Sequence, residues 1–334
     1  MKKLFFFIII FCTAVINVFA NDTYFFMSGG NLIPTTEKDT SIQMQSEVIS
    51  ISLEEKYYQV TVDFNFINHG EQAELLVGFP FFEAGIGGHG HIYDFKCWTN
   101  DELTDYSDFP LKHNFSNLDY AGENLQNAYV RKITFPPKST TKTRVSYKSE
   151  YGYDTEGVIV KYLYGTGSTW KNKIEDIELI LNNNMKYSCP RTLQMGDNTN
   201  IKNSFSRLAD NKWHAHFKDI EPEYKDCFSI YCSDILYDVG PKAFHKENFM
   251  CYYTKVSEKT LYWYTKPQLR ILRNTIYALH GYAFKSQDLK ELFESWGKHW
   301  YPKYEINTSF SESDFTENEK YNIDFILKEE KKRN

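Results

Sequence analysis

The chain has 334 residues, enough for two domains, and its composition argues against several classes of protein. Acidic residues outnumber basic ones by 44 to 38, and this formal net charge of −6 disfavours nucleic-acid binding and attraction to an anionic membrane surface. Aromatic residues make up 17% of the chain, which provides enough ring area for a substantial core.

The first 20 residues have the features of a secretory signal peptide. Lys2 and Lys3 supply a positive charge, the stretch from Leu4 to Val18 is almost wholly apolar, and Ala20 offers a small residue at the cleavage position. We therefore predict cleavage after Ala20 and an exported protein, periplasmic or extracellular, without a membrane span after cleavage. An uncleaved membrane anchor is the alternative, although the apolar run is short for a span of about 20 residues.

Residues 21–235 show the period-two alternation of half-buried strands. Apolar and polar residues alternate from Tyr58 to Phe66, and a turn at 68–71 leads into a second alternating run, so this pair predicts a hairpin. Because no crossover helices separate the strands, they predict an all-β, sandwich-like domain and not a parallel α/β sheet. Further alternating runs, separated by turn residues, occur at 129–135, 143–147, 158–164, 177–181, 213–217 and 228–231.

Several segments of this part resemble an uncharacterised family of bacterial exported β-rich domains. They are SGGNLIP at Ser28–Pro34, SEVISISLE at Ser46–Glu54, VGFPFF at Val77–Phe82 and YGTGSTWKNKIEDIEL at Tyr164–Leu179. The resemblance covers roughly residues 22–235. It implies export and a β-rich fold, and no particular chemistry.

The sequence contains two closely spaced histidine pairs, of which one is a candidate for a metal site. His89 and His91 lie in a glycine-rich segment and could face the same way on an extended chain, as metal ligands do. No third ligand stands at a diagnostic spacing, so a loop with two exposed histidines is the alternative. His214 and His216 alternate on a predicted strand, and we interpret them as ordinary surface histidines on its solvent-facing side.

Five cysteines follow the predicted signal peptide, and this odd number leaves at least one thiol unpaired or paired between chains. Cys227 and Cys232 have opposite parity on a predicted strand. Their side chains should therefore point to opposite faces of the sheet, which disfavours a disulfide between them.

Residues 236–265 are interpreted as a linker that contains one short strand or turn. The aromatic-rich run from Phe249 to Tyr264 makes this segment too apolar for a solvated tether.

Residues 266–330 predict three short helices. The first carries an apolar stripe and ends at Gly281, the second begins at Ser286, and the third begins at a capping box formed by Thr316 and Glu319. The sequence as a whole thus predicts an α+β protein, with an N-terminal all-β sandwich-like domain followed by a small C-terminal three-helix domain. The stripe of the first helix consists of Leu269, Leu272, Ile276 and Leu279.

This C-terminal part resembles the YARHG domain, a bacterial extracellular module named for a pentapeptide. The pentapeptide here is Tyr277-Ala278-Leu279-His280-Gly281, and the resemblance extends to DLKELF at 288–293, WYP at 300–302 and EKYNIDFI at 319–326. Leu279 replaces the arginine of the name, so no polar role of that arginine is implied here. The resemblance implies an exported location and supplies no mechanism.

The sequence favours a non-catalytic exported protein of the bacterial envelope that binds a cell-wall glycan or peptide, or another envelope protein, without a cofactor. It contains no G-x-S-x-G, HExxH or P-loop motif, so an enzymatic reading has no motif to support it. The alternatives are an envelope-acting hydrolase, either a glycan hydrolase or a metal-dependent one using His89 and His91, and a structural assembly subunit. Aromatic rings near a helix end could stack on a sugar or grip a peptide, or they could simply hold three small helices together. The candidate binding residues are Tyr277, His280, Tyr282, Trp300 and Tyr301.

Overall fold

The computed structural model describes residues 22–28, 31–34, 40–81, 92–110, 127–153, 157–196, 199–223, 226–236, 250–295 and 304–333. The predicted signal peptide, with its cleavage position after Ala20, lies outside these ranges. So do His89, His91, Trp300 and Tyr301. Within the described ranges, a β-rich part is followed by a helical part, so the chain has the α+β fold that the sequence predicts.

The β-rich part contains three sheets. The strands are β1 (Thr23–Ser28), β2 (Asn31–Pro34), β3 (Ile42–Leu53), β4 (Tyr58–Asn68), β5 (Ala73–Phe81), β6 (Ile92–Thr99), β7 (Glu102–Thr104), β8 (Ser107–Pro110), β9 (Asn127–Phe135), β10 (Thr140–Ser149), β11 (Gly152–Tyr153), β12 (Gly157–Leu163), β13 (Ile174–Asn183), β14 (Ser188–Met195), β15 (Thr199–Asn200), β16 (Ser206–Ala209), β17 (Lys212–Ile220) and β18 (Cys227–Asp234). The first sheet has the order β2-β1-β5-β9-β8, the second β16-β17-β13-β3-β4-β10-β6-β7, and the third β11-β12-β18-β14-β15. Neighbouring strands are antiparallel, apart from β3 and β13, which pair in parallel. The predicted hairpin of β4 and β5 is wrong, because the turn at 68–71 carries the chain from one sheet to another: β4 pairs with β3 and β10, whereas β5 pairs with β1 and β9.

The eight-stranded sheet forms one layer of a sandwich, and the two five-stranded sheets together form the other. Alternate residues of β4 are buried, so one face of the large sheet points into the core. The first sheet packs on its β4–β10–β6 half, where the rings of Phe66 and Phe135 lie 5.7 Å apart. The third sheet packs on the β17 side, where Phe217 and Phe228 lie 6.1 Å apart. The sandwich-like prediction is therefore confirmed.

A buried ion pair joins the first described residue to the sandwich. The Arg131 guanidinium donates to the Asp22 carboxylate at 2.6 Å, and the Thr143 hydroxyl donates to the same oxygen at 3.1 Å. The indole N–H of Trp170 donates to the Asp22 carbonyl at 3.2 Å. Burial raises the pKa of the Asp22 carboxyl, while Arg131 and Thr143 oppose that shift. The start of β1 is thus held to β9, to β10 and to the segment that precedes β13.

The outer face of the eight-stranded sheet carries His214 and His216. They alternate with buried residues along β17, as the sequence predicts. His214 lies 3.1 Å from Glu178, and His216 lies 2.8 Å from Asp176, on the neighbouring strand. These are solvent-facing cross-strand pairs, each worth less than about 1 kcal/mol.

The described cysteines all carry free thiols. On β18, Cys232 is buried and Cys227 is half-buried on the opposite side, as their parity predicts. Burial raises the pKa of both thiols, which keeps them protonated and unreactive. The fold of the described residues is therefore stabilised by packing and hydrogen bonds, not by disulfides.

The helical part comprises α1 (Met250–Tyr253), α2 (Glu258–Leu261), α3 (Lys266–Leu279), α4 (Gln287–Glu294) and α5 (Glu317–Lys332). The three predicted helices correspond to α3, α4 and α5. The region interpreted as a linker with one strand or turn instead holds α1 and α2, because helices of four residues are too short to show a periodic pattern. Cys251, Val256 and Leu261 are buried in the same core as α3. In the described part of the chain, no helix is both long and apolar enough to span a membrane.

The apolar stripe of α3 faces this core. Leu269, Leu272 and Ile276 are completely buried, whereas Leu279 at the end of the helix is half-buried. The position that carries arginine in the family name is therefore at the margin of the core.

The helical part packs directly on the β-rich part. Trp263, just before α3, stacks on Trp213 of β17 with ring centroids 5.1 Å apart. The Arg207 guanidinium lies over the Trp213 ring at 4.6 Å and donates to the Tyr264 carbonyl at 3.1 Å. Two indoles and a guanidinium thus form one part of the contact.

Gln268 adds a polar connection at the start of α3. Its side-chain oxygen accepts from the Thr265 backbone N–H at 3.0 Å, which caps the helix. Its side-chain nitrogen donates to the carbonyls of Met185 and Ser188 at 2.7 and 2.8 Å, in the β-rich part. Because the two parts share a buried contact, functional experiments should use the full chain and not a helical fragment.

Candidate functional site

The YALHG pentapeptide ends α3 and turns the chain. Gly281 has a φ of +78°, which L residues with a side chain rarely adopt. Its N–H donates to the Ala278 carbonyl at 3.0 Å, and its carbonyl accepts from the Asn307 N–H at 2.8 Å. A Cβ at this position would lie 2.7 Å from the Asn307 nitrogen and from the Glu305 carbonyl oxygen. Both the backbone angle and the close approach of the 305–307 segment require glycine.

We expect Gly281→Ala to lower the free energy of unfolding by at least about 2 kcal/mol, because strain at the positive φ adds to a clash with backbone that cannot move aside. Urea denaturation of the full chain measures this loss. Gly196→Ala is the matched control, because Gly196 has a φ of +57° but its Cβ would approach only side chains, at 3.2 Å or more. Equal losses in the two variants would show that the 305–307 segment does not constrain the turn.

His280 joins the end of α3 to the start of α5. Its Nε2 lies 2.9 Å from the Glu319 carboxylate, and its ring packs edge-on against Phe315, with centroids 4.9 Å apart. The His280 side chain is only 4% exposed and that of Glu319 is fully buried. Glu319 also completes the predicted capping box by accepting from the Thr316 N–H at 2.8 Å. The His280 side chain therefore holds the end of α3 against the start of α5.

The Glu319 carboxylate is held in its charged form. Burial alone would raise its pKa, but hydrogen bonds from His280 and from Thr316 outweigh burial, and the pKa lies below its ordinary value. The pair between His280 and Glu319 is therefore a charged or charge-assisted contact inside the helical core.

Aromatic rings line the surface beside this turn. The Tyr277 ring lies 5.5 Å from Tyr282 and 6.4 Å from Phe310, and Tyr282 lies 5.3 Å from Phe310. All three rings are half-buried, and Phe315 packs beneath Tyr277 at 5.1 Å. We call Tyr277, Tyr282 and Phe310 the aromatic surface. The structure thus brings together two of the predicted binding residues, and adds Phe310, which sequence spacing alone did not indicate.

Among the residues that the structure describes, no group of three or more His, Cys, Asp or Glu side chains is arranged to hold a metal ion. The predicted pair of His89 and His91 lies outside those residues, so that prediction stays a prediction.

A separate cleft of about 300 Å³ opens between α3, α4 and the loop that joins β13 to β14. We call it the α3–α4 cleft. The sequence did not indicate it, because its lining comes from segments that are far apart along the chain. Its apolar residues are Pro267, Ile271, Leu289 and Leu292, and its charged residues are Lys186, Lys266, Arg270, Asp288 and Glu330.

Comparison with known families identifies the helical part. The family model of the YARHG domain matches residues 248–331. The C-terminal part of this chain is a YARHG domain. The match begins before α1, so the two short helices belong to it together with α3, α4 and α5. YARHG domains occur in extracellular and periplasmic proteins, which is consistent with the export signal predicted from the sequence.

Comparison with solved structures concerns the fold alone. A protein of Legionella pneumophila subsp. pneumophila, provisionally described as nutrient-binding, is 21% identical and has a TM-score of 0.51. The match covers 93% of this chain and 97% of that chain, so both the β-rich part and the helical part have counterparts there in a similar fold. An M1 zinc metallopeptidase from Deinococcus radiodurans is 8% identical, with a TM-score of 0.32, over 57% of this chain and 42% of that chain. No curated protein matches the sequence.

Proposed function

We propose that this protein is a non-catalytic binding protein of the bacterial envelope, which uses the aromatic surface of its YARHG domain to hold a cell-wall glycan or peptide. The proposal includes cleavage after Ala20 and a location in the periplasm or on the cell surface. It also includes a division into a β-sandwich-like domain at 21–235 and a YARHG domain whose start moves from the predicted 266 to 248, where the family match begins. Trp300 and Tyr301 remain candidate contacts on the basis of the sequence.

The observation that carries the proposal is the support beneath the aromatic surface. Tyr277 and Tyr282 are half-buried, so part of each side chain is exposed while the rest packs on neighbouring rings. The turn at Gly281 and the pair of His280 with Glu319 fix the backbone between the two rings. Rings that are already immobile lose little conformational entropy when a sugar or peptide stacks on them. His280 then contributes to binding indirectly, because it positions the backbone that carries Tyr277 and Tyr282.

Retention of the full chain on purified, insoluble cell wall tests the proposal. We expect wild type to sediment with the cell wall, and the double variant Tyr277→Leu/Tyr282→Leu to bind about tenfold more weakly, since leucine keeps the apolar packing but removes the flat ring face. Circular dichroism and urea denaturation establish that the variant remains folded.

The matched control uses two other tyrosines of the YARHG domain. Tyr253 is 59% exposed and Tyr321 is 38% exposed, and neither belongs to the aromatic surface. Tyr253→Leu/Tyr321→Leu should bind like wild type. Failure of wild type to sediment, or equal weakening in both double variants, would contradict the proposal.

A further inference from the structure

The acidic residues of the α3–α4 cleft are already paired with arginines. Arg270 donates to both oxygens of Asp288, at 2.5 and 3.4 Å, and ties α3 to α4. Arg273 donates to both oxygens of Glu330, at 2.6 and 3.2 Å, and ties α3 to α5. Hydrogen bonds from Arg270 and Ser286 hold the pKa of Asp288 far below its usual range. The negative charges of the lining are therefore neutralised locally.

The two lysines of the cleft carry the remaining charge. Within the described ranges, neither the Lys186 nor the Lys266 ammonium has a carboxylate within salt-bridge distance. The Lys186 ammonium lies 4.9 Å from the centre of the Tyr187 ring, and it is the backbone N–H of Lys266 that contacts the Asp210 carboxylate. Both lysines are exposed. Lys186 belongs to the β-rich part and Lys266 to the helical part. The side chains that line the cleft thus carry a net positive charge beside its apolar residues, while the Glu55 and Asp210 carboxylates accept from the backbone N–H groups of the two lysines.

The apolar residues of the α3–α4 cleft are held in place by the helical core. Ile271 and Leu289 are 4% and 5% exposed, so they are held by the helical core, and Leu292 is half-buried beside them. The volume of about 300 Å³ lies at the lower end of the range for small-molecule sites, and clefts between two parts of a fold are frequent locations for such sites.

We propose that the α3–α4 cleft binds a small organic carboxylate with an apolar body. The carboxylate lies between the ammonium groups of Lys186 and Lys266, and the apolar body rests on Ile271, Leu289 and Leu292. This site shares no residue with the aromatic surface, so it does not rest on the proposed function, and each can fail without the other.

Titration calorimetry of the full chain with 4-methylpentanoate tests the proposal. The neutral 4-methylpentanamide has the same apolar body without the charge, and acetate has the charge without the body. We expect the acid to bind at least about tenfold more tightly than either, and its affinity to fall as sodium chloride rises, because ions screen the lysine charges. The carboxylate and its apolar body could belong to a small metabolite or to the C-terminus of a peptide. An acetylated dipeptide that ends in leucine distinguishes these two ligands. Binding of the free acid alone assigns a small metabolite, and binding of the dipeptide as well assigns a peptide C-terminus.

Variants locate the binding. Lys186→Gln/Lys266→Gln should weaken binding of the acid at least about tenfold and leave the free energy of unfolding unchanged, since both side chains are exposed. Lys142→Gln/Lys218→Gln removes the same charge from exposed positions of the eight-stranded sheet and should bind the acid like wild type. Absence of binding, equal affinity for acid and amide, or equal weakening in the two double variants would overturn the proposal.

Discussion

Arg131→Met is expected to lower the free energy of unfolding by about 3–5 kcal/mol, because it leaves the Asp22 carboxyl in the core without its partner. The Arg131 and Asp22 side chains are 1% and 0% exposed, so water cannot replace the lost contact. Methionine fills much of the arginine's volume, which separates the loss of the charge from the creation of a cavity. Urea denaturation of the full chain, followed by tryptophan fluorescence, measures the change.

A surface pair of the same length provides the control. Arg144 and Asp63 are also 2.6 Å apart, but their side chains are 49% and 41% exposed. Arg144→Met should therefore cost less than about 1 kcal/mol. Adding Asp22→Asn to Arg131→Met should recover part of the loss, since it removes the unpaired carboxyl. An Arg131→Met variant as stable as Arg144→Met would refute the structural role given to this pair.

His280→Ala should have the second largest effect, a loss of about 3 kcal/mol, because a cavity opens and the buried Glu319 carboxylate loses its partner. His280→Gln should lose less, since its side-chain amide can still donate to Glu319. His216→Ala is the matched control, because the pair of His216 with Asp176 has a similar length of 2.8 Å, and its side chains are 38% and 45% exposed. That variant should lose less than about 1 kcal/mol.

The stabilisation from Glu319 should depend on pH in one direction. The pKa of Glu319 in the folded chain lies below its ordinary value of 4.5. The stabilisation that Glu319 contributes is therefore fully present above pH 4.5. It is lost as the pH falls through the pKa that Glu319 has in the folded chain. The difference in unfolding free energy between wild type and His280→Ala should narrow in that acidic range. A constant difference from pH 7 down to pH 3 would be inconsistent with the charged contact.

Local patterns in the sequence predicted the elements that depend on near neighbours. The alternation around β4, the stripe of Leu269, Leu272 and Ile276, and the capping box of Thr316 and Glu319 are all present. Each of these patterns indicates which face of one helix or strand is buried, or where one helix begins. Residues only a few positions apart determine both features. The parity of Cys227 and Cys232 belongs to the same class.

Contacts between distant segments could not be predicted in this way. Glu319 caps its own helix, which a four-residue pattern reveals, but it also binds His280, 39 positions earlier, which no spacing indicates. Asp22 meets Arg131 across 109 positions, and Gln268 reaches Met185 across 83. These pairings follow from how sheets and helices stack, and one sequence does not specify that stacking. The family resemblance indicated the YARHG domain but not its attachment to the β-rich part through Trp213 and Trp263.

The parallel pairing of β3 with β13 has a consequence for the order in which the nascent chain can fold. The hairpin of β3 and β4 can form early, but the other edge of β3 is covered only by a strand 130 residues further along. Until that strand has been synthesised, β3 exposes unpaired backbone groups next to apolar residues such as Ile49 and Ile51, which is a template for aggregation. Folding that depends on such a distant partner is slow, because a large loop must close first. The large sheet therefore becomes complete only late in folding.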